Sequence, residues 1–345
     1  MAKSKERKSI VIKEDIKEKR KALDEAVKAA EAKHGKGIIM RLDGAPIQDI
    51  PVVTSGIISL DIALGVFGVP RGRTIEIFGP EAGGKSTLSL QIAAEVQKAG
   101  GNVLFVDAEH ALDLKLARGI GVDTNTLLLS QPEYGEQALQ LVEDMVASCG
   151  VDLVIIDSTA ALTPLKEIEG EMGDPTMAAQ ARLMSQAMRK LTAIVAKTKT
   201  IVIFINQIRK KVGIMFGNPE TTSGGEALKF YSSVRLDTRR IESIKDGTNI
   251  IGVRSRIKVV KNKVAPPFRE TIVDIIFGKG VSKEGDLLNT ATQYAIISKA
   301  GRSFTFEDIK LGEEGKALEL LSKDPVLFNN IREAIISKVK EGQRV

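Results

Sequence analysis

The chain has 345 residues, 43% of them apolar, a formal net charge of +6, no tryptophan and one cysteine. That length suits a main domain with small appendages; the absence of an 18-residue apolar run argues against a membrane helix, and Ile10-Val11-Ile12 is too short for the apolar part of a signal peptide. Cys149 cannot form an internal disulfide, His34 and His110 are too few for a zinc site, and a cytoplasmic protein is expected.

The first predicted element is a charged helix from about Lys13 to Lys33, stopped by Gly35. Its apolar stripe of Ile16, Leu23, Val27 and Ala30 is thin, so it needs a surface to dock on, either its own domain or a neighbouring subunit. Residues 1–45 are read as this N-terminal piece, 46–282 as the core and 283–345 as a small C-terminal α/β domain.

From about Gly44 the pattern alternates strand and helix, as in a mostly parallel sheet covered on both faces. Thr74–Phe78 is a strand and Leu88–Val96 a helix. Between them Gly79-Pro80-Glu81-Ala82-Gly83-Gly84-Lys85-Ser86-Thr87 fits G-x-x-x-x-G-K-[ST]. Glycines let successive N–H groups face inward as an anion nest, and the helix start favours negative charge. Lys85 can reach the β- and γ-phosphates, and the Ser86 hydroxyl can ligate Mg²⁺.

Further strands are expected at Val103–Asp107, Leu127–Ser130, Leu153–Asp157 and Thr200–Gln207, with helices at Gly135–Ser148 and Met177–Lys197. Near-continuous β-branched runs are what strands buried on both faces require. Asp157 ends an apolar strand, where a carboxylate can hold Mg²⁺ beside Ser86. Glu109 lies just past the end of Val103–Asp107, where side chains of a parallel sheet face the ligand crevice, and can orient an attacking water. His110 beside it reads as structural. Gln207 closes the fourth strand and can sense a γ-phosphate. Two glycine-containing loops follow strand ends, Glu169–Met177 and Ile208–Gly225, and together form either a nucleotide switch or a substrate lid.

Beyond Arg235, runs such as Arg256–Val260 and Thr271–Ile276 look like antiparallel strands completing the sheet. The C-terminal piece should hold a helix near Leu287–Ala300, a hairpin around Phe304–Phe306, and helices at Glu313–Ser322 and Val326–Lys340.

Glu81–Leu88, Asp107–Asp113, Ser185–Leu191, Phe204–Arg209, Met215–Thr222 and Lys229-Phe230-Tyr231 closely resemble the bacterial RecA recombinases. The resemblance implies a P-loop NTPase core and an ATP- and Mg²⁺-dependent filament on single-stranded DNA. It also implies pairing with homologous duplex, strand exchange and promotion of LexA-type repressor self-cleavage in the SOS response. Glu109 matches the position that activates the hydrolytic water, and Gln207 the one coupling ATP to a DNA loop. The two glycine-containing loops match the DNA-binding loops, with Gly224 and Gly225 closing the second, and Met177 and Val212 match positions that wedge between base triplets. Arg182, Arg189, Arg209, Lys211, Arg239 and Arg240 fall at basic positions near the DNA or its loops. Lys261 and Lys263 match lysines that reach a neighbouring subunit's ATP, the N-terminal helix an intersubunit arm, and Phe230 an interface residue. Asp113 would hold the base, with Leu116 where members commonly have an adenine-stacking tyrosine. The terminal stretch Lys338–Val345 lacks the acidic tail of many members.

A ring-forming DNA helicase and a slow regulatory ATPase of the same fold are the rival classes. The Ile208–Gly225 segment, with Phe216-Gly217-Asn218-Pro219-Glu220, argues against both.

Overall fold

The computed structural model describes residues 2–39, 50–171, 178–210 and 220–343. It divides into two compact units, Met1–Asp49 and Ile50–Val345. The first holds α1, Ala2–His34, which begins well before the expected Lys13. It ends where the Gly35 N–H donates to Glu31 O (2.9 Å) at φ +100°, a left-handed stop that glycine adopts without strain.

In the second unit, β1 (Val52–Val53), α2 (Ile58–Leu64) and β2 (Val69–Pro70) lead to β3 (Thr74–Gly79), α3 (Lys85–Lys98), β4 (Val103–Asp107) and α4 (Leu114–Ile120). Then come β5 (Leu128–Ser130), α5 (Gly135–Ala147), β6 (Leu153–Asp157), α6 (Leu165–Glu169), α7 (Ala179–Thr198), β7 (Ile201–Lys210), β8 (Glu220–Thr222) and α8 (Ala227–Tyr231). β9 (Val234–Asp246), β10 (Asn249–Asn262), β11 (Glu270–Ile276) and β12 (Gly280–Val281) follow, then α9 (Lys283–Gln293), β13 (Ile297–Ala300), β14 (Ser303–Phe306), β15 (Ile309–Glu313), α10 (Glu314–Lys323) and α11 (Pro325–Gln343).

The main sheet runs in the order β12-β11-β10-β9-β3-β7-β6-β4-β5. Pairing is parallel from β9 through β5 and antiparallel from β9 outward to β12. The strand pleat sorts alternate residues into two cores. Val103, Phe105, Leu153, Ile155, Ile201 and Ile203 pack with α3 residues such as Leu90 and Val96. Leu104, Val106, Val154, Ile156, Val202 and Phe204 pack with α5 and α7 through Val142, Met188 and Leu191. A third cluster joins α2 to α9, α11 and the three-stranded sheet of β13 to β15 through Ile58, Leu288, Phe306 and Ile335.

Three expectations need correction. Leu127–Ser130 read as a buried strand; β5 is the sheet edge, and Leu128 and Leu129 are each 45% exposed. The helix expected to reach Ala300 stops at Gln293, because Ala295 takes positive φ (+52°) and Ile297–Ala300 becomes β13, paired with β14. The Ile208–Gly225 segment is no structureless loop throughout: β7 continues to Lys210, and β8 returns antiparallel to it.

Where α2, α9 and β11 meet, Asp286 is buried and accepts the Ser59 N–H (3.1 Å) and the Ser59 hydroxyl, while Thr271 Oγ1 donates to Ser59 Oγ (2.6 Å). Burial pushes its carboxyl from 3.8 up to about 6, with the Ser59 bonds pulling the other way and nearby Asp61 adding to the rise. A folded-state pKa above the unfolded one stabilises the fold below the unfolded value, and that contribution disappears as pH rises through the folded value. Between pH about 4 and about 6, Asp286 should therefore withdraw roughly 3 kcal/mol of stability. Denaturant titrations across this window, run in parallel on Asp286→Asn, should show that slope in the native chain and not in the variant.

Candidate active site

In a parallel sheet all carboxyl ends lie along one edge, and β3, β4 and β6 deliver their last residues, and β7 its Gln207, to the same place. The Gly79–Thr87 turn joins β3 to α3, with Gly84 as the N-cap of α3 at φ +88°. A β-carbon at Gly79 would collide with the Thr238 carbonyl of β9, and one at Gly84 with Ile275 of β11. The phosphate loop is thus pressed between its own helix and the antiparallel half of the sheet, and only glycine fits.

Lys85 Nζ donates to Gly79 O (3.1 Å) and Pro80 O (2.7 Å). Partial burial lowers its pKa, against the pull of Asp157, Glu109 and Glu81. Ser86 Oγ donates to Asp157 Oδ2 (2.6 Å), which joins the start of α3 to the end of β6. A hydroxyl and one carboxylate beside a phosphate loop fit Mg²⁺, a cation that keeps several waters and takes its other ligands from substrate phosphates. Among the described residues no group of three or more His, Cys, Asp or Glu forms a self-contained metal cage.

Glu109 follows β4 and is exposed. Its Oε1 accepts the Ser158 hydroxyl and Gln207 Nε2 (3.1 Å), so the ends of β4, β6 and β7 meet on a single oxygen. Sequence reasoning missed two members of this group. Asp107 is buried and accepts the N–H groups of Ala111 (3.0 Å) and Leu112 (3.1 Å) and the side chain of Gln131 (3.1 Å), pinning the turn that carries Glu109. Its signal was available, since β4 and β6 both end an apolar run in Asp. Ser158 had none beyond following Asp157. His110 is exposed at φ +54° and turns the chain there.

A cavity of about 490 Å³ opens beside the loop, lined by Ala82, Thr87, Asp113, Leu116, Arg240 and Phe277, among others. Asp113 also N-caps α4, accepting the N–H groups of Lys115 (2.8 Å) and Leu116 (3.0 Å) on Oδ1. Arg240 also lines this cavity. Arg239 is held by Glu220 and Asp237, at the root of the β7–β8 ribbon.

Arg182, Arg189 and Arg209 are exposed, the first two seven residues apart along α7. Gly224 and Gly225 have φ of +80° and +78° and pack against α7, where a β-carbon on Gly225 would meet Ala181 at 2.8 Å. Met177, Lys211 and Val212 lie outside the described residues. Lys261 and Lys263 sit at the far end of β10 and just past it. Lys261 Nζ donates to Lys229 O (2.6 Å) and Phe230 O (2.8 Å) at the end of α8, and Phe230 is 70% exposed.

A phosphate loop facing a hydroxyl–carboxylate pair and a second carboxylate defines a P-loop ATPase. The strand that carries Gln207 continues out of the core as a ribbon, so hydrolysis can be tied to a second ligand. Comparison with known proteins names the lineage. The family described as RecA N-terminal domain matches residues 21–282, and the chain belongs to the RecA family. It is 53% identical over 328 residues to "Protein RecA" of Salinispora arenicola, covering 95% of this chain and 94% of that one. It is 56% identical over 315 residues to "Protein RecA" of Chloroherpeton thalassium (91% and 88% covered) and 55% identical over 329 residues to "Protein RecA 2" of Myxococcus xanthus (94% and 92% covered).

The chain is accordingly an ATP-dependent DNA recombinase. It binds ATP with Mg²⁺, hydrolyses ATP in the presence of DNA, forms filaments on single-stranded DNA, pairs it with homologous duplex, and promotes LexA-type repressor autocleavage. Among the described residues no helix is long and apolar enough to cross a membrane.

Burial first, then Glu109 and Asp107, push the Asp157 carboxyl up to about 6 against the Ser86 bond and Lys85. If Asp157 holds Mg²⁺ beside Ser86, the metal must displace that proton, and Mg²⁺–nucleotide affinity should fall below pH about 6, approaching tenfold per pH unit. Calorimetric titrations at several pH values should show this fall in the native chain. Asp157→Asn should show only the weaker dependence that comes from the nucleotide's own protonation.

Proposed function

We propose that recombination is driven through the polar groups gathered between the phosphate loop and the β7–β8 ribbon: Lys85, Ser86, Asp157, Glu109 and Gln207. The observation that carries this reading is the direct bond between Gln207 Nε2 and Glu109 Oε1. One end of it belongs to the carboxylate that would orient the attacking water, the other to the strand that leads into the second DNA loop.

Bound Mg²⁺–ATP supplies the phosphoanhydride and the charge to which this chain responds. Gly79 to Thr87 wrap the phosphates with backbone N–H groups, and Lys85 leaves the Gly79 and Pro80 carbonyls for phosphate oxygens. Ser86 and Asp157 would hold the metal, and Asp113 with the Leu116 side of the cavity would hold the base. Glu109 orients the attacking water and accepts its proton. Gln207 exchanges Glu109 for the γ-phosphate and moves the ribbon with it. Lys261 and Lys263 act on a neighbouring subunit's nucleotide in the manner of an arginine finger, so ATP at the seam cements the filament.

DNA is gripped mainly by its phosphates, through Arg182, Arg189, Arg209 and Lys211 and the backbone at Gly224 and Gly225, while Met177 and Val212 wedge between bases. Such binding is independent of sequence and weakens with salt; base pairing supplies the homology test. Residues 1–45 serve as the intersubunit arm, 46–282 as the motor and 283–345 as an accessory domain. The protein works in the cytoplasm, where its DNA is.

Lys85→Ala should lose ATP-dependent assembly on single-stranded DNA, with electron microscopy showing helical filaments for the native chain and none for the variant. Closed rings from the native chain would support the helicase reading instead.

Glu109→Gln should bind ATP and DNA normally yet turn over at least about 100-fold more slowly. In Gln207→Ala, DNA should no longer stimulate the ATPase. A Gln207→Ala protein that keeps full stimulation would remove Gln207 from the coupling path.

A further inference from the structure

One hydroxyl at the centre of the site has no part in the scheme above. Ser158 follows β6, is 1% exposed, and donates its Oγ–H to Glu109 Oε1. The backbone reinforces the contact, because the N–H groups of Ala108 (2.8 Å) and Glu109 (3.3 Å) both donate to Asp157 O, one residue before Ser158.

Glu109 is exposed, and a solvated glutamate spreads over many rotamers. Two donors restrain it, both acting on Oε1. The coupling scheme withdraws one of them when Gln207 turns to phosphate. Ser158 is buried at a strand end and has no such alternative duty.

We propose that Ser158 is the positioning residue of the hydrolytic step, holding Oε1 of Glu109 so that Oε2 faces the water. The assignment rests on the reading of Glu109 given above. No bond to Ser158 changes during turnover. The proton leaves water for Oε2 while the Ser158 O–H keeps donating to Oε1. A misplacement of the order of an ångström costs a reacting group about 100-fold in rate, and a released Glu109 would suffer a displacement of that kind.

The test compares steady-state DNA-dependent ATPase with filament assembly driven by a non-hydrolysable ATP analogue. Ser158→Ala should lower kcat about 10- to 100-fold while KM for ATP and analogue-driven assembly stay at native values. Ser158→Thr, which keeps the hydroxyl, should restore kcat to within a few-fold. In a Glu109→Gln background, Ser158→Ala should cost nothing further, because residues acting as a unit are non-additive.

Native kcat in Ser158→Ala beside a slowed Glu109→Gln would overturn the assignment and leave Glu109 standing. So would an equal loss in both backgrounds, or a parallel loss of assembly, each of which marks a purely structural serine. Native turnover in Glu109→Gln would overturn both readings together. Should Ser158→Ala not fold, Ser158→Cys, a weaker donor of similar shape, decides the matter on the same split of kcat against KM.

Discussion

The nucleotide edge depends on the burial of β3, β7, β6 and β4 on both faces. A strand packed between two helical layers cannot slide without moving apolar residues out of both cores at once. Ile155 and Ile156 face opposite layers, as do Ile203 and Phe204, and all four are fully buried. The strand ends are therefore held in fixed relative register, and a carboxylate on one can meet an amide on another. Loops attached to such ends inherit that precision, which is why Glu109, two residues past β4, can share an oxygen contact with Gln207 at the far side of β6.

The central strands are also cross-linked through charge. Glu76 is wholly buried on β3, pairs with Arg235 on β9, and accepts Asn206 Nδ2 (2.9 Å) from β7. Removing either partner would leave an uncompensated charge in the core, so this group fixes geometry more than it adds net stability. The same Asn206 amide donates to Ser223 O (3.1 Å), beside the Gly224–Gly225 turn. Neighbouring residues of β7 thus point two ways, Asn206 into the frame and the root of the ribbon, Gln207 into the nucleotide edge. Gln207 and the ribbon thus belong to one continuous, hydrogen-bonded strand.

Local signals explain which features were legible in the sequence. The phosphate loop, the strands ending at Asp107 and Asp157, and α5 and α7 are written in short stretches with clear periodicity or spacing. What escaped is set by contacts between distant segments. An edge strand and a central strand of leucines read alike until their neighbours are known, so β5 looked buried. Ile297–Ala300 looked like a continuation of α9 because β13 exists only through pairing with β14. The ion pairs that Glu220 and Asp237 make with Arg239 join segments whose meeting the sequence does not show. The Ser158–Glu109 contact joins residues 49 apart in the chain, and no property of Ser158 itself announces it.

The donors at this edge already have partners within the chain. Lys85 rests on the loop carbonyls, Ser86 on Asp157, and Gln207 on Glu109. A group with a partner loses one interaction when it takes another, so a ligand gains only the difference between the two, and that difference bounds how far it can shift the conformation. On the proposed coupling, a triphosphate offers Lys85 a charged acceptor in place of neutral carbonyls, which favours exchange, while Gln207 trades one charged oxygen, on Glu109, for another. A diphosphate offers Lys85 nearly the same but has no terminal group for Gln207. The two nucleotides can therefore bind with similar contacts at the loop and still differ in what they do to β7, which is the physical requirement for a filament whose grip on DNA follows the state of its nucleotide.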